Sequence, residues 1–185
     1  MKETIIAIGD DYPKNSKPMF RNLKANEIDV RVNTINEKGI SLLLYKDARV
    51  DQDILDETLG PMNWQRKHLR DNANCIVEIW DNWKKQWIAK EDTGTESYTE
   101  KEKGLASDSF KRACFNWGIG RELYTSPFIW VSADKCKITK NKEGKLTIYD
   151  KFFVEAIEIE NKEITGLTIK NNNNIRVFSY KKIGV

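Results

Sequence analysis

The segment from Leu105 to Trp117 constrains the fold more than any other part of the chain. Ala106, Phe110, Ala113 and Trp117 recur at helical spacing and fall on one stripe of a wheel turned by about 100° per residue. Two capping-box patterns precede the stripe, Ser97-x-x-Glu100 and Thr99-x-x-Glu102. Gly118-Ile119-Gly120 follows it and supplies a left-handed stop. A long helix is therefore expected to end near Trp117 with its apolar stripe packed on a sheet. Lys111 and Arg112 point away from that stripe on opposite flanks, and Lys103 stands two turns before Lys111 with the small Ser107 between them. Cations on a rigid helix contact phosphates at regular spacing, and released counterions supply much of the affinity. Such contacts carry no sequence information. The bland account is also open. A Lys-Arg pair on a helix is usually a solvated face, and Phe110, Phe115 and Trp117 read more often as core than as base-stacking platforms.

The rest of the chain divides around this helix. Ile5-Ile6-Ala7-Ile8, followed by turn formers, reads as an arm or edge strand. Between Lys24 and Ile35, the spacing of Ile28, Val32 and Ile35 predicts a helix with Asn26 as its cap, while the β-branched content keeps a strand open. Ile40 to Tyr45 reads as a buried strand. Val50 to Leu59 reads as a helix stopped by Gly60-Pro61. Cys75 to Trp80 and Lys85 to Lys90 read as paired strands around Asp81-Asn82. Beyond Trp130, short strands are expected at 137–139, 146–149, 153–159, 167–169 and 177–180. The predicted class is α+β: a small antiparallel sheet packed on a long helix, with a C-terminal β appendage. The predicted domains are an arm over 1–23, a core over 24–131 and a β-rich extension over 132–185.

Composition narrows the function classes. The 185 residues carry 31 Lys and Arg against 28 Asp and Glu, a net charge of only +3. Any nucleic-acid site must therefore come from local clustering. Cys75, Cys114 and Cys136 are odd in number and far apart, which reads as reduced intracellular thiols. With one histidine, His68, and no CxxC pattern, a structural zinc site is not expected. No apolar run has the length of a membrane span or of a signal peptide. The phosphate-binding pattern GxxxxGK[ST] is absent, which removes the usual sign of an ATP-driven recombinase.

Four segments in order resemble one family. Ala106-Ser107-Asp108-Ser109-Phe110-Lys111-Arg112-Ala113, followed by Trp117-Gly118-Ile119-Gly120, resembles the single-strand annealing proteins of the Rad fifty-two superfamily. Within it, the chain is most similar to the short bacterial and phage branch that includes the phage Sak proteins. Ile28 to Val32 resembles the first family helix. Tyr45 to Val50 with Leu59 to Trp64, and Lys90 to Glu96, resemble the segments that follow it. The likeness covers roughly Lys24 to Trp130.

The resemblance implies ATP-independent binding of single-stranded DNA and annealing of complementary strands in homologous recombination and DNA repair. It implies no cofactor and no catalytic residue. It implies a ring or helical homo-oligomer with a DNA groove, encoded by a phage or prophage and acting in the bacterial cytoplasm. The expected partners are single-stranded DNA, further copies of the chain and a single-stranded DNA-binding protein of host or phage, with no membrane. Carried over residue by residue, Lys111 and Arg112 match basic residues that line the groove, Lys103 aligns with a further basic position on the long helix, and Arg49 falls at or within one place of another groove arginine. Phe115 stands where eukaryotic members carry a further arginine, so it either makes the groove less basic or touches sugars and bases. Arg31 and Arg49 serve DNA contact, a subunit contact or an internal carboxylate pair. Arg66, Lys67 and Arg70, with His68, form a second basic cluster, read as a DNA patch or as a solvated loop. Two rival readings stand beside this one. A metal-dependent nuclease would use a Glu-x-Lys pattern such as Glu143-Gly144-Lys145. A non-annealing interaction module would reuse the fold to bind another protein.

Overall fold

The structure, a computed structural model, describes residues 18–95 and 101–184, with side chains for all of these except 101–103. The segment Ile5 to Ile8 and the two capping boxes lie outside the described residues. By its contacts the described chain divides into two compact units, one holding 18–21 and 52–117 and the other 22–51 with 118–184.

The second unit is a sheet of six antiparallel strands. In chain order they are β1 (Asp29–Asn36), β2 (Gly39–Tyr45), β6 (Ile129–Ser132), β9 (Phe152–Glu160), β10 (Glu163–Asn171) and β11 (Arg176–Lys181). Their spatial order is β11-β10-β9-β1-β2-β6. The edge strands β11 and β6 approach one another, so the sheet nearly closes on itself as a barrel. Ile40, Leu42, Ile129, Val131, Ile164, Leu167, Ile169 and Val177 are buried and form its core. Burial of each such side chain contributes about 1.5–3 kcal/mol. A separate hairpin, β7 (Ile138–Lys140) with β8 (Leu146–Ile148), stands outside this ladder.

The first unit contains a three-stranded meander. Strands β3 (Trp64–Leu69), β4 (Asn74–Asp81) and β5 (Gln86–Thr93) pair in that order. Helix α2 (Lys101–Trp117) lies along β4 and β5. Helix α1 (Ala48–Leu59) begins in one unit and ends in the other. Gly60 (φ 78°) stops α1 and Gly118 (φ 99°) stops α2, both in the left-handed region.

These findings correct the predicted architecture. The expected class, a small antiparallel sheet packed on a long helix, is not the architecture: among the described residues strand outweighs helix, both α-helices are short, and the larger sheet is the nearly closed six-stranded one. The C-terminal strands are no appendage. They complete the sheet that β1 and β2 begin, through pairing of Asp29 with Phe153. The helix expected from Lys24 to Ile35 is instead strand β1, preceded by a single turn of 3-10 helix at Ala25–Glu27. Ile28, Val32 and Ile35 fit a helical stripe, but Val30, Val32, Thr34 and Ile35 are β-branched and favour a pleated surface. The two-residue turn Glu37-Lys38 then folds β1 onto β2, with Asn36 opposite Gly39.

Candidate nucleic-acid interface

Helix α2 is held against the sheet by two sets of contacts. On its inner face Phe110, Ala113 and Cys114 are fully buried, while Ala106 and Trp117 are half-buried. Trp64 of β3 stacks on the Phe110 ring at 6.2 Å, and the Arg66 guanidinium lies over the same ring at 4.7 Å. Gly94 permits the close approach at the end of β5. A Cβ there would stand 2.6 Å from the Ser109 nitrogen and 2.7 Å from the Leu105 carbonyl oxygen, inside any real contact.

The second set is a polar ridge along β5, the outermost strand of the meander among the described residues. Asp108 accepts the Thr95 N–H at 2.9 Å and its hydroxyl at 3.1 Å. One turn later Arg112 pairs with Asp92 at 3.4 Å. A turn beyond that, Asn116 donates to the Glu91 carbonyl at 3.0 Å and to the Asp92 carboxylate at 3.1 Å. Lys90 donates to the Asn116 carbonyl at 2.8 Å, with its ammonium 4.5 Å from the Trp117 ring centre. Trp117 donates its indole N–H to the Val77 carbonyl at 3.0 Å. Positions 108, 112 and 116 are four apart, so they form one row on the helix surface. That spacing was visible in the sequence; its acceptors on β5 were not.

The predicted residues fall into two groups. Lys111 and Arg112 share α2. Arg112 is exposed, and Lys111 is half-buried with no ion pair among the described residues. Phe115 is half-buried on the same helix. Lys103 lies on α2, but its side chain is not among those described. Arg49 and Arg31 belong to the other unit. Arg49 is 82% exposed, and both its backbone N–H and its guanidinium donate to Asp47, at 2.8 and 2.9 Å. The internal carboxylate pair allowed for this residue is thus present. Arg31, exposed on β1, lays its guanidinium over the Tyr45 ring at 3.7 Å.

The Arg66–Arg70 cluster is strand β3 and its turn, not a solvated loop. Alternation along β3 sends Arg66 to the helix side and Lys67 to the outer side, where it pairs with Glu78 at 3.1 Å. Arg70 opens the β3–β4 turn with φ 51°. These residues therefore do not share one face. His68 lies between them, with Nδ1 3.5 Å from the Ser109 hydroxyl. Burial, and then the Arg66 charge, lower its pKa. The Cys75 thiol behind it is fully buried, and burial pushes its pKa up to about 11, partly offset by Arg66. Such a thiol is chemically quiet.

Glu143 and Lys145 sit in the turn between β7 and β8, paired with each other at 3.2 Å and exposed to solvent. Among the described residues no three His, Cys, Asp or Glu gather as a metal site, and no helix is long and apolar enough to cross a membrane. Comparison with protein-family models, curated proteins and solved structures gives no match.

Proposed function

We propose that the chain binds single-stranded DNA and anneals complementary strands without a nucleotide cofactor, as a homo-oligomer, in recombination and repair. The observation that carries the reading is the basic side of α2. Lys111 lacks an ion pair among the described residues, and Arg112 is fixed in direction by Asp92. The helix that bears them is tied to the meander through Asp108, Asn116 and Trp117 as well. Cations held in this way meet a phosphate backbone without first losing conformational freedom. The likeness of the Ala106–Ala113 run to the Rad fifty-two superfamily supports the same reading, including its phage branch and a place in the bacterial cytoplasm. Annealing breaks no covalent bond, so the role requires only that the protein extend a strand and offset its charge. The bases stay free to pair.

Binding of a labelled oligonucleotide, followed by anisotropy over a salt series, tests the proposal. The expected result is sequence-tolerant binding whose log affinity falls linearly with log salt. No binding at low salt by folded protein would reject it.

A further inference from the structure

The β7–β8 hairpin stands outside the six-stranded ladder and carries charge that its own folding does not use. Asn141 builds its turn by accepting the N–H groups of Glu143 and Lys145 at 3.0 and 2.9 Å. Gly144, at φ 78°, supplies the left-handed residue that a three-residue hairpin loop requires. Across the ladder Ile138 faces Ile148 and Thr139 faces Thr147. These contacts account for the hairpin without any lysine. Yet residues 134–151 contain six lysines, all exposed, against Asp134, Glu143 and Asp150. Those carboxylates keep their charge, and the surplus of three that remains after counting them equals the net charge of the whole chain, +3. Glu143 pairs with Lys145, whereas Lys137, Lys140 and Lys142 form no ion pair among the described residues.

The hairpin also lines a cleft of about 480 Å³, a volume in the range of small-ligand sites. Ala133, Ile138 and Leu146 give the cleft its apolar lining, and Lys137, Thr139 and Lys140 give it polar lining. Glu37 is the one carboxylate among the residues that line it, so lysine outnumbers carboxylate there too. A site of this composition fits a ligand that is flat and weakly polar in one part and anionic in another.

We infer that this cleft takes an unpaired base of a single strand against Ile138 and Leu146, with Lys137 and Lys140 on the adjoining phosphates. The inference rests on the strand-binding function proposed above and adds to it a contact that the α2 surface does not make. Charge and lining together select the occupant. The surplus of unpaired lysines calls for a polyanion. The apolar lining calls for a ring between the charges, which a run of acidic side chains lacks. Docking on a membrane surface buries apolar side chains in the lipid, whereas Ile138, Leu146 and Ile148 of this ladder are already half-buried.

The test compares Lys137→Ala/Lys140→Ala with Lys24→Ala/Lys170→Ala, which removes the same charge outside the cleft lining. A third variant, Ala133→Leu, narrows the cleft and keeps every lysine. Far-UV circular dichroism verifies folding of each, and oligothymidylate and an abasic strand of the same length are titrated over a salt series. The cleft variant is expected to bind oligothymidylate roughly two- to thirtyfold more weakly. Its salt slope should be shallower by about 0.7 for each phosphate released, while the control binds like the parent. The parent should prefer oligothymidylate to the abasic strand, and Ala133→Leu should lose that preference with its slope unchanged. A cleft variant that binds like the parent, or no more weakly than the control, overturns the inference and leaves the strand-binding function standing. Equal binding of the two strands by the parent does the same. So does a normal oligonucleotide affinity combined with loss of self-association or of binding to anionic vesicles, which would mark the hairpin as a protein or membrane surface. A parent that binds no oligonucleotide rejects both.

Discussion

Arg112 and Arg49 both lie on helices and both pair with an aspartate, yet they are held in different ways. Arg112 is one rung of a ladder that joins Asp108, Arg112 and Asn116 to strand β5 and its end. Its partner lies twenty residues away in sequence. Arg49 pairs with Asp47, two residues before it, in the turn that starts α1. A local pair of that kind organises a helix start and lies within one turn of chain. The ladder instead fixes a cation relative to a sheet. The two regions thus separate a preorganised contact from a local one, and the larger share of phosphate binding is expected from the first.

Substitutions in the two regions should differ in the size of their effects. Phe110→Ala should have the largest effect, roughly 3–5 kcal/mol of stability, because that ring carries Trp64 and Arg66 as well as α2. A loss below about 1 kcal/mol in urea unfolding would mean that packing does not set the helix position. Lys111→Ala with Arg112→Ala should leave the fold intact and weaken oligonucleotide binding across sequences. The salt slope should become shallower by about 0.7 for each phosphate that is no longer neutralised. Arg49→Ala should change that slope by no more than the share of a single phosphate, and stability by no more than about 0.5 kcal/mol. An Arg49 effect larger than that of the double variant would invert the order of the two regions.

The smallest effect concerns pH. Burial and Arg66 lower the His68 pKa below its ordinary value of 6.5. Below pH 6.5 the unfolded chain therefore binds more protons than the folded one, and stability rises with pH in that interval. The contribution is complete above 6.5 and is lost as pH falls towards the folded-state value. Unfolding measured from pH 7.5 to 5 should show this decline in the parent and a flatter profile in His68→Gln. Identical profiles would show that His68 does not couple stability to pH.

The sequence was most legible where structure is local. Gly60 and Gly118 stop their helices because a left-handed residue is required there. The β4–β5 hairpin follows from its alternation and the Asp81-Asn82 turn. Phe110 and Ala113 are buried on the stripe that their spacing implies. What could not be read was pairing at a distance. Nothing near Asp29 announces Phe153, and nothing in the tail announces that it closes a sheet with the strands before α2. The β1 segment was ambiguous because Ile28, Val32 and Ile35 satisfy a helix period while the β-branched residues among them favour a pleat. For the site, the basic residues of α2 were visible, but Asp92 and the backbone acceptors that position them were not.

If α2 holds a strand in a form that pairs with its complement, the rate at which two complementary oligonucleotides anneal should depend on its cations. That rate is followed by fluorescence without ATP, for the parent and for Lys111→Ala/Arg112→Ala. The expected result is acceleration by the parent, stronger at low salt, and little or none by the variant at the same concentration. Equal acceleration by both proteins, or none by either, would contradict the assignment of annealing to α2.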